Sequence, residues 1–178
     1  MSEILDSRGR TEAEAIAQFR AANYPKPSLT ADMVALARDA DGEISVLMIR
    51  RGGHPYLGCL ALPGGFAEQQ ETIEQTAQRE MEEETGVTGL TPKLIGVYSR
   101  PGRDPRGWVV SAVYGTVVDA SRIHAEAADD AASVGWYRIG RDGDGALTLT
   151  GPEGTVSASG LAFDHAEILE DAVRALIG

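Results

Sequence analysis

The sequence predicts one mixed α/β domain, and three observations carry that expectation. Short apolar and β-branched runs recur along the chain, separated by Gly, Pro and Asp turn signals. Between and after them lie segments whose apolar residues instead repeat at helical spacing. The length, 178 residues, suits a single sizeable core, and 43% hydrophobic with 24% charged residues excludes wholesale disorder.

The elements follow in chain order. Residues 11–22 suit a short amphipathic helix, stopped by Tyr24-Pro25-Lys26-Pro27. Residues 29–38 and 44–50 are strand-like and are joined around Asp41-Gly42, a pair suited to a hairpin turn. Thr72-Ile73-Glu74-Gln75 has the form of a capping box, so a helix begins near Thr72, and Gly86 suits its C-terminal cap. Residues 91–99, 108–118 and 134–139 are further strands, rich in β-branched and aromatic side chains. The Gly- and Asp-rich stretch 140–154 is expected to be a hairpin or surface loop around 146–150. Residues 161–177 form a closing helix with Ile168, Leu169, Val173, Leu176 and Ile177 on its apolar face. No repeat, low-complexity tract or long linker divides the chain, so residues 1–178 are expected to be one domain.

Charge excludes several function classes. There are 16 Lys and Arg against 27 Asp and Glu, a formal charge of −11, which argues against a nucleic-acid binder needing a basic face. The single cysteine, Cys59, allows neither an intrachain disulfide nor a thiolate metal cage. The acidic start lacks a basic and apolar signal region, and the longest uncharged run, 52–67, falls short of the ~20 apolar residues of a membrane helix. The expectation is a soluble cytoplasmic protein without membrane contacts.

The acid is concentrated. Residues 65–87 hold seven Glu and one Arg, which is six of the eleven excess negative charges. Ile73, Ala77 and Met81 form an apolar stripe on the helix there, and Glu80, Glu83 and Glu84 lie beside it within about one third of the circumference. This arrangement opposes folding twice. Like charges one turn apart repel by a few tenths of a kcal/mol per pair. They also crowd the C-terminal turn, where the helix dipole favours cations. A solvated face is the usual reading of an acidic pair; three convergent carboxylates at the unfavourable end make sense around a hard divalent cation shared with substrate phosphates. Glu82 points away, and Glu74 lies near the helix start.

Gly65, Glu71 and Arg79-Glu80-Met81-Glu82-Glu83-Glu84-Thr85-Gly86-Val87 resemble the full Nudix box, G-x5-E-x7-R-E-U-x-E-E-x-G-U, with Met81 and Val87 in the bulky aliphatic places. All seven fixed positions match. The resemblance implies the Nudix α/β/α sandwich with a mixed β-sheet and a loop–helix–loop catalytic motif, and hydrolysis of a nucleoside diphosphate linked to another moiety. It implies Glu80, Glu83 and Glu84 as ligands of Mg²⁺ or Mn²⁺, with a peptide carbonyl of Gly64 or Gly65 as a further ligand. Glu71 and Arg79 would brace the motif. Bound cations would reverse the local field, polarise phosphoryl oxygens and acidify an attacking water. Glu83 and the acids of the loop 126–130 are alternative general bases.

Outside the box, Tyr24-Pro25-Lys26-Pro27-Ser28, Ala61-Leu62-Pro63-Gly64-Gly65-Phe66, the Pro- and Arg-rich 101–107 and Leu161-Ala162-Phe163-Asp164-His165 are similar to the bacterial ADP-ribose pyrophosphatase-like branch. Lys26 stands where that branch usually has Arg. The resemblance implies ADP-ribose as substrate, with AMP and ribose 5-phosphate as products; nucleoside triphosphates, NADH-type dinucleotides and nucleotide sugars are alternatives. Homodimers are common in the branch. Arg103 and Arg106 form either a phosphate or ribose clamp or a surface turn paired with Asp104. Of Arg50 and Arg51, strand neighbours on opposite faces, one is expected to reach the ligand, with Arg51 the candidate. Tyr56 is a candidate stacking residue or simple packing. His54, His124 and His165 are too scattered for a zinc motif and are expected to be structural or exposed. Asp142-Gly143-Asp144-Gly145 lacks the further ligands of a calcium loop and is expected to be a turn. A different class is an ADP-ribose-sensing repressor with a C-terminal DNA-binding winged helix; the short stretch after Ile139 carries no basic recognition element, and the complete ligand set favours catalysis.

Overall fold

A computed structural model describes residues 4–127 and 131–178 of the chain. Helix α1 (Glu12–Ala22) is followed by strands β1 (Ser28–Arg38), β2 (Ile44–Arg51), β3 (Leu60–Ala61) and β4 (Gly64–Phe66) and helix α2 (Ile73–Thr85). Strands β5 (Lys93–Tyr98), β6 (Val109–Val118), β7 (Ala131–Arg141), β8 (Leu147–Gly151) and β9 (Gly154–Ser157) and helix α3 (His165–Ile177) complete the fold. The strands form one mixed sheet in the order β5-β6-β1-β2-β7-β8-β9, with β3 against β2 and β4 against β1. Strands β1 and β6 run parallel, and the remaining neighbours antiparallel.

Alternation along the central strands divides the core into two layers. Val34 and Leu36 of β1, with Val46 and Met48 of β2, pack on one face against Ile168, Leu169 and Ala172 of α3. Ala31, Met33 and Ala35, with Leu47, face the other way onto Ala77 and Met81 of α2. β1 and β2 are buried on both faces and accordingly read as near-continuous apolar runs. This is the expected α/β/α sandwich.

Helix α2 begins and ends where its caps dictate. The Thr72 side chain accepts from the Gln75 amide at 3.2 Å while the Gln75 side chain accepts from the Thr72 amide at 2.8 Å. Gly86 takes a left-handed φ of 71° and donates back to the Glu82 carbonyl.

Two expectations, the start of the closing helix and the seating of the first, need correction. Helix α3 starts at His165 rather than near 161, because Phe163 adopts a left-handed φ of 52° and breaks the helical path before it. Of the hairpin and the surface loop expected in residues 140–154, the hairpin forms: β8 pairs with β7 and then with β9, extending the sheet by two strands. Strand β4, which no strand signal in the sequence marks, is set by pairing with β1: Gly64 with Asp32 and Phe66 with Thr30. Helix α1, capped by Thr11 and Glu14, buries no residue; Ile16 and Phe19 are too little apolar surface to seat it on the sheet.

Leu169 is fully buried between α3 and the sheet. Leu169→Ala is expected to lower stability by about 3 kcal/mol, read as a lower urea midpoint at unchanged slope.

Candidate active site

The Gly64–Phe66 strand and α2 meet through one guanidinium. Arg79 directs all five of its N–H donors to the protein. Nε and Nη2 grip Glu71 at 3.0 and 2.9 Å, Nη1 donates to Glu80 and Glu83 at 2.8 Å each, and Nη2 also donates to the Phe66 carbonyl at 3.0 Å. Glu71 accepts in addition from the Glu68 amide and the Thr76 hydroxyl, both at 2.8 Å. Arg79, helped by the Glu68 amide, holds the Glu71 carboxyl down at about 2. Loop and helix are thus one charged unit, with Glu71 and Arg79 in bracing positions.

The three candidate ligand carboxylates line one cleft of about 440 Å³ together with Arg51, Gly65 and Arg106. Each has one oxygen tied to the protein: Glu80 and Glu83 to Arg79, and Glu84 to the Gly64 amide at 2.9 Å. Among the described residues, the second oxygen of each accepts no hydrogen bond. Burial drives the Glu84 carboxyl up to about 8 and also raises Glu80, in both cases overriding their hydrogen bonds. Among the described residues no three carboxylate, imidazole or thiolate groups already converge as a coordination shell, because Arg79 and the Gly64 amide draw these side chains toward themselves. The donor chemistry nevertheless fits a hard divalent cation: three carboxyl oxygens without protein partners, two of them on groups whose charged form burial disfavours until a cation compensates it.

Gly65 is required by close approach. A Cβ there would overlap the Glu80 carboxylate, and one at Gly64 would overlap the Ala31 carbonyl and Asp32.

The arginines expected near substrate separate into two groups. The β2–β7 register shifts between Arg50 and Arg51, and this bulge sends the two side chains to different partners. Arg50 pairs with Glu153 and donates to the Gly58 carbonyl at 2.6 Å, whereas Arg51 lines the cleft, anchored through Nε to the Pro55 carbonyl at 2.8 Å. Arg106 pairs with Asp104 through Nε and Nη2, leans 4.7 Å over the Phe66 ring and also lines the cleft. Arg103 does not form a clamp with it. It is 7% exposed and gripped by Asp164 through two hydrogen bonds, of 2.8 and 2.6 Å, so it takes neither expected form, clamp with Arg106 or surface turn, and instead lines a small buried cavity beside the cleft. Tyr56 packs edge-on against Phe163 at 4.8 Å and remains partly exposed. Of the candidate general bases, Glu83 lines the cleft, while the Glu126 amide donates to the Thr85 carbonyl at 3.0 Å, tying the loop to the end of α2. The other acids of that loop, Asp129 and Asp130, lie outside the described residues.

Four residues near the site carried no singular sequence signal. Asp32 hides within the apolar run of β1. Phe66 and Phe163 look like core residues, and His165 lacks a partner nearby in sequence. The segment similarity did include the last three, without indicating their contacts.

The NUDIX domain pattern matches residues 28–141, well over half of the chain, and the protein belongs to that family. It is 38% identical over 129 residues to an ADP-ribose pyrophosphatase of Methanocaldococcus jannaschii, a match covering 72% of this chain and 66% of that protein. It is also 29% identical over 168 residues to the ADPR responsive transcriptional repressor NtrR of Acinetobacter baylyi, covering 93% of this chain and 61% of the repressor. The chain thus spans just under two thirds of the length of both relatives. A MutT/nudix family protein from Enterococcus faecalis superimposes with a TM-score of 0.79 at 36% identity, covering 94% of this chain and 70% of that one.

Two outcomes test the site. Gly65→Ala displaces only the end of a flexible glutamate, so the thermal midpoint should hold within a few degrees while Mg²⁺ affinity, measured by calorimetry, falls about 10-fold or more. Glu84 has a folded pKa raised from 4.5 to about 8, so its contribution to stability is full below 4.5 and is lost as pH rises through about 8. In chelator-treated protein the unfolding midpoint should therefore decline from pH 6 to pH 9, and Glu84→Gln should flatten that decline.

Proposed function

We propose that this protein hydrolyses the diphosphate of ADP-ribose, giving AMP and ribose 5-phosphate with Mg²⁺ or Mn²⁺ as cofactor. The observation that carries the reading is one cleft lined by both signs of charge: Glu80, Glu83 and Glu84 from α2, and Arg51 and Arg106 from β2 and the turn before β6.

An anionic diphosphate approaching a chain of charge −11 needs local compensation. Arg51 and Arg106 supply it from the protein itself. Both guanidiniums are oriented before substrate arrives, Arg51 by Pro55 and Arg106 by Asp104. A divalent cation held by Glu80, Glu83 and Glu84 would supply charge neutralisation of the phosphoryl oxygens and a more acidic water. Arg79 keeps the Glu80 and Glu83 carboxylates at fixed positions on α2 and limits their mutual repulsion, while the Gly64 amide holds Glu84. Glu83, the most exposed of the three, can take a proton from the attacking water and release it to solvent. The similarity to an ADP-ribose pyrophosphatase supports the choice of substrate.

A second reading rests on the repressor relative, which matches nearly the whole chain: binding of ADP-ribose without turnover. The complete carboxylate set favours hydrolysis. Triphosphates, dinucleotides and other nucleotide sugars are competing substrates that the same cleft chemistry would serve.

Purified protein with Mg²⁺ and ADP-ribose should release AMP and ribose 5-phosphate, detected by chromatography; ligand binding with no AMP would select the second reading. Glu83→Gln should lower kcat by about 100-fold or more with an unchanged circular-dichroism spectrum, while activity equal to wild type would remove Glu83 from the site.

A further inference from the structure

Behind Gly64, on the α3 side of the sheet, a second and much smaller cavity of about 50 Å³ adjoins the cleft and shares Arg51, Gly64, Gly65 and Arg106 with it. Its inner wall is polar and deeply buried: Asp32 is 7% exposed and His165 3%. The His165 ring is fixed through Nδ1, which accepts from the Leu62 amide at 2.9 Å. Burial lowers its pKa, so the ring is neutral and its one proton lies on Nε2. That Nε2 makes no hydrogen bond among the described residues; it stands 3.8 Å from Asp32 Oδ1, beyond direct bonding distance. The other Asp32 oxygen is occupied by the Ser111 hydroxyl. A donor and an acceptor therefore face one cavity without bonding to each other. A hydroxyl group, at once acceptor and donor, satisfies both.

We propose that this cavity is a hydroxyl-recognition subsite, in which a sugar hydroxyl of the substrate accepts from His165 Nε2 and donates to Asp32 Oδ1. The inference rests on the reading that the adjoining cleft binds a sugar-linked diphosphate, and it specifies which part of that substrate enters. Size excludes the base: a cavity that needs about 10–15 Å³ per water admits a few oxygen-sized groups but not a purine. Gly64 makes the approach passable, since any side chain there would overlap Asp32. The buried Arg103–Asp164 pair, next in sequence to His165, stiffens the wall. Asp32 and His165 are thus specificity residues for the non-nucleotide half of the substrate, distinct from the carboxylates of α2.

Calorimetry with two probes decides the matter: ribose 5-phosphate, and tetrahydrofurfuryl phosphate, which has a similar ring without hydroxyls. Wild type should bind ribose 5-phosphate about 10-fold or more tightly than the hydroxyl-free phosphate. His165→Asn keeps an oxygen where Nδ1 accepts from Leu62 but removes the donor, so this preference should shrink to about twofold at a retained thermal midpoint. If His165→Asn fails to fold, Asp32→Asn carries the comparison, with the same expected loss of preference. Equal affinities in wild type, a preference that survives in the folded variant, or no binding of either probe at about 10 mM would overturn the proposal and leave the cavity holding trapped water only. Protein that discriminates the probes yet releases no AMP from ADP-ribose would keep the subsite and drop the hydrolase; active hydrolase without discrimination would do the reverse.

Discussion

The site depends on a single guanidinium that must satisfy more carboxylate than one cation can neutralise. Arg79 bonds Glu71, Glu80 and Glu83 together with the Phe66 carbonyl, and so links the loop before α2, the helix itself and strand β4. Three carboxylates against one cation leave a net excess, and Glu84, held by the Gly64 amide and pushed up to about 8 by burial, adds to it only when ionised. The surplus is unfavourable for folding at the C-terminal end of a helix. Family membership accounts for its presence, since the same surplus equips the cleft to take a hard cation. Structural bracing and cation affinity are in this sense one arrangement: the oxygens that Arg79 and Gly64 do not use are the ones left for chemistry.

Two adjacent glycines set how closely the parts approach. Gly65 lets the Glu80 carboxylate press against β4, and Gly64 lets β4 lie against Asp32 of β1. A side chain at Gly65 would push the Glu80 carboxylate aside, and one at Gly64 would close the small polar cavity. Phe163 plays a comparable part on the α3 side. Its left-handed backbone turns the chain into α3, while its ring lies near Arg51, Arg106, Tyr56 and His165. Both arginines of the cleft therefore stand against the same aromatic surface, which gives them fixed positions at little entropic cost.

Helix α2 was legible because its information is local. Thr72 and Gln75 cap it, Gly86 ends it, and Ile73, Ala77 and Met81 define its buried stripe, all within one short segment. The two-layer core was equally legible from alternation in β1 and β2. The arginines were legible only in part: the candidates Arg51 and Arg106 line the cleft, but Arg103 does not join them. Arg103 and Arg106 belong to one turn and share a chemistry, yet one is buried against Asp164, distant in sequence, and the other borders the cleft. Arg50 and Arg51 are separated by a bulge that depends on the register with β7. Helix α1 shows the reverse limit, with sound caps at both ends but no tertiary surface to cover.

The sequence by itself determined the family pattern, the layered α/β architecture and the trio of glutamates on one helix face, because helical and strand periodicities project residues without reference to anything remote. Only the tertiary structure decided which arginines face the cleft, that Asp32 and His165 meet across a cavity, and where α3 begins. These outcomes depend on contacts between β1, β2, β4, the 101–107 turn and the start of α3, and the partner that claims a charged or polar side chain first is set by folding distance, not by chain distance.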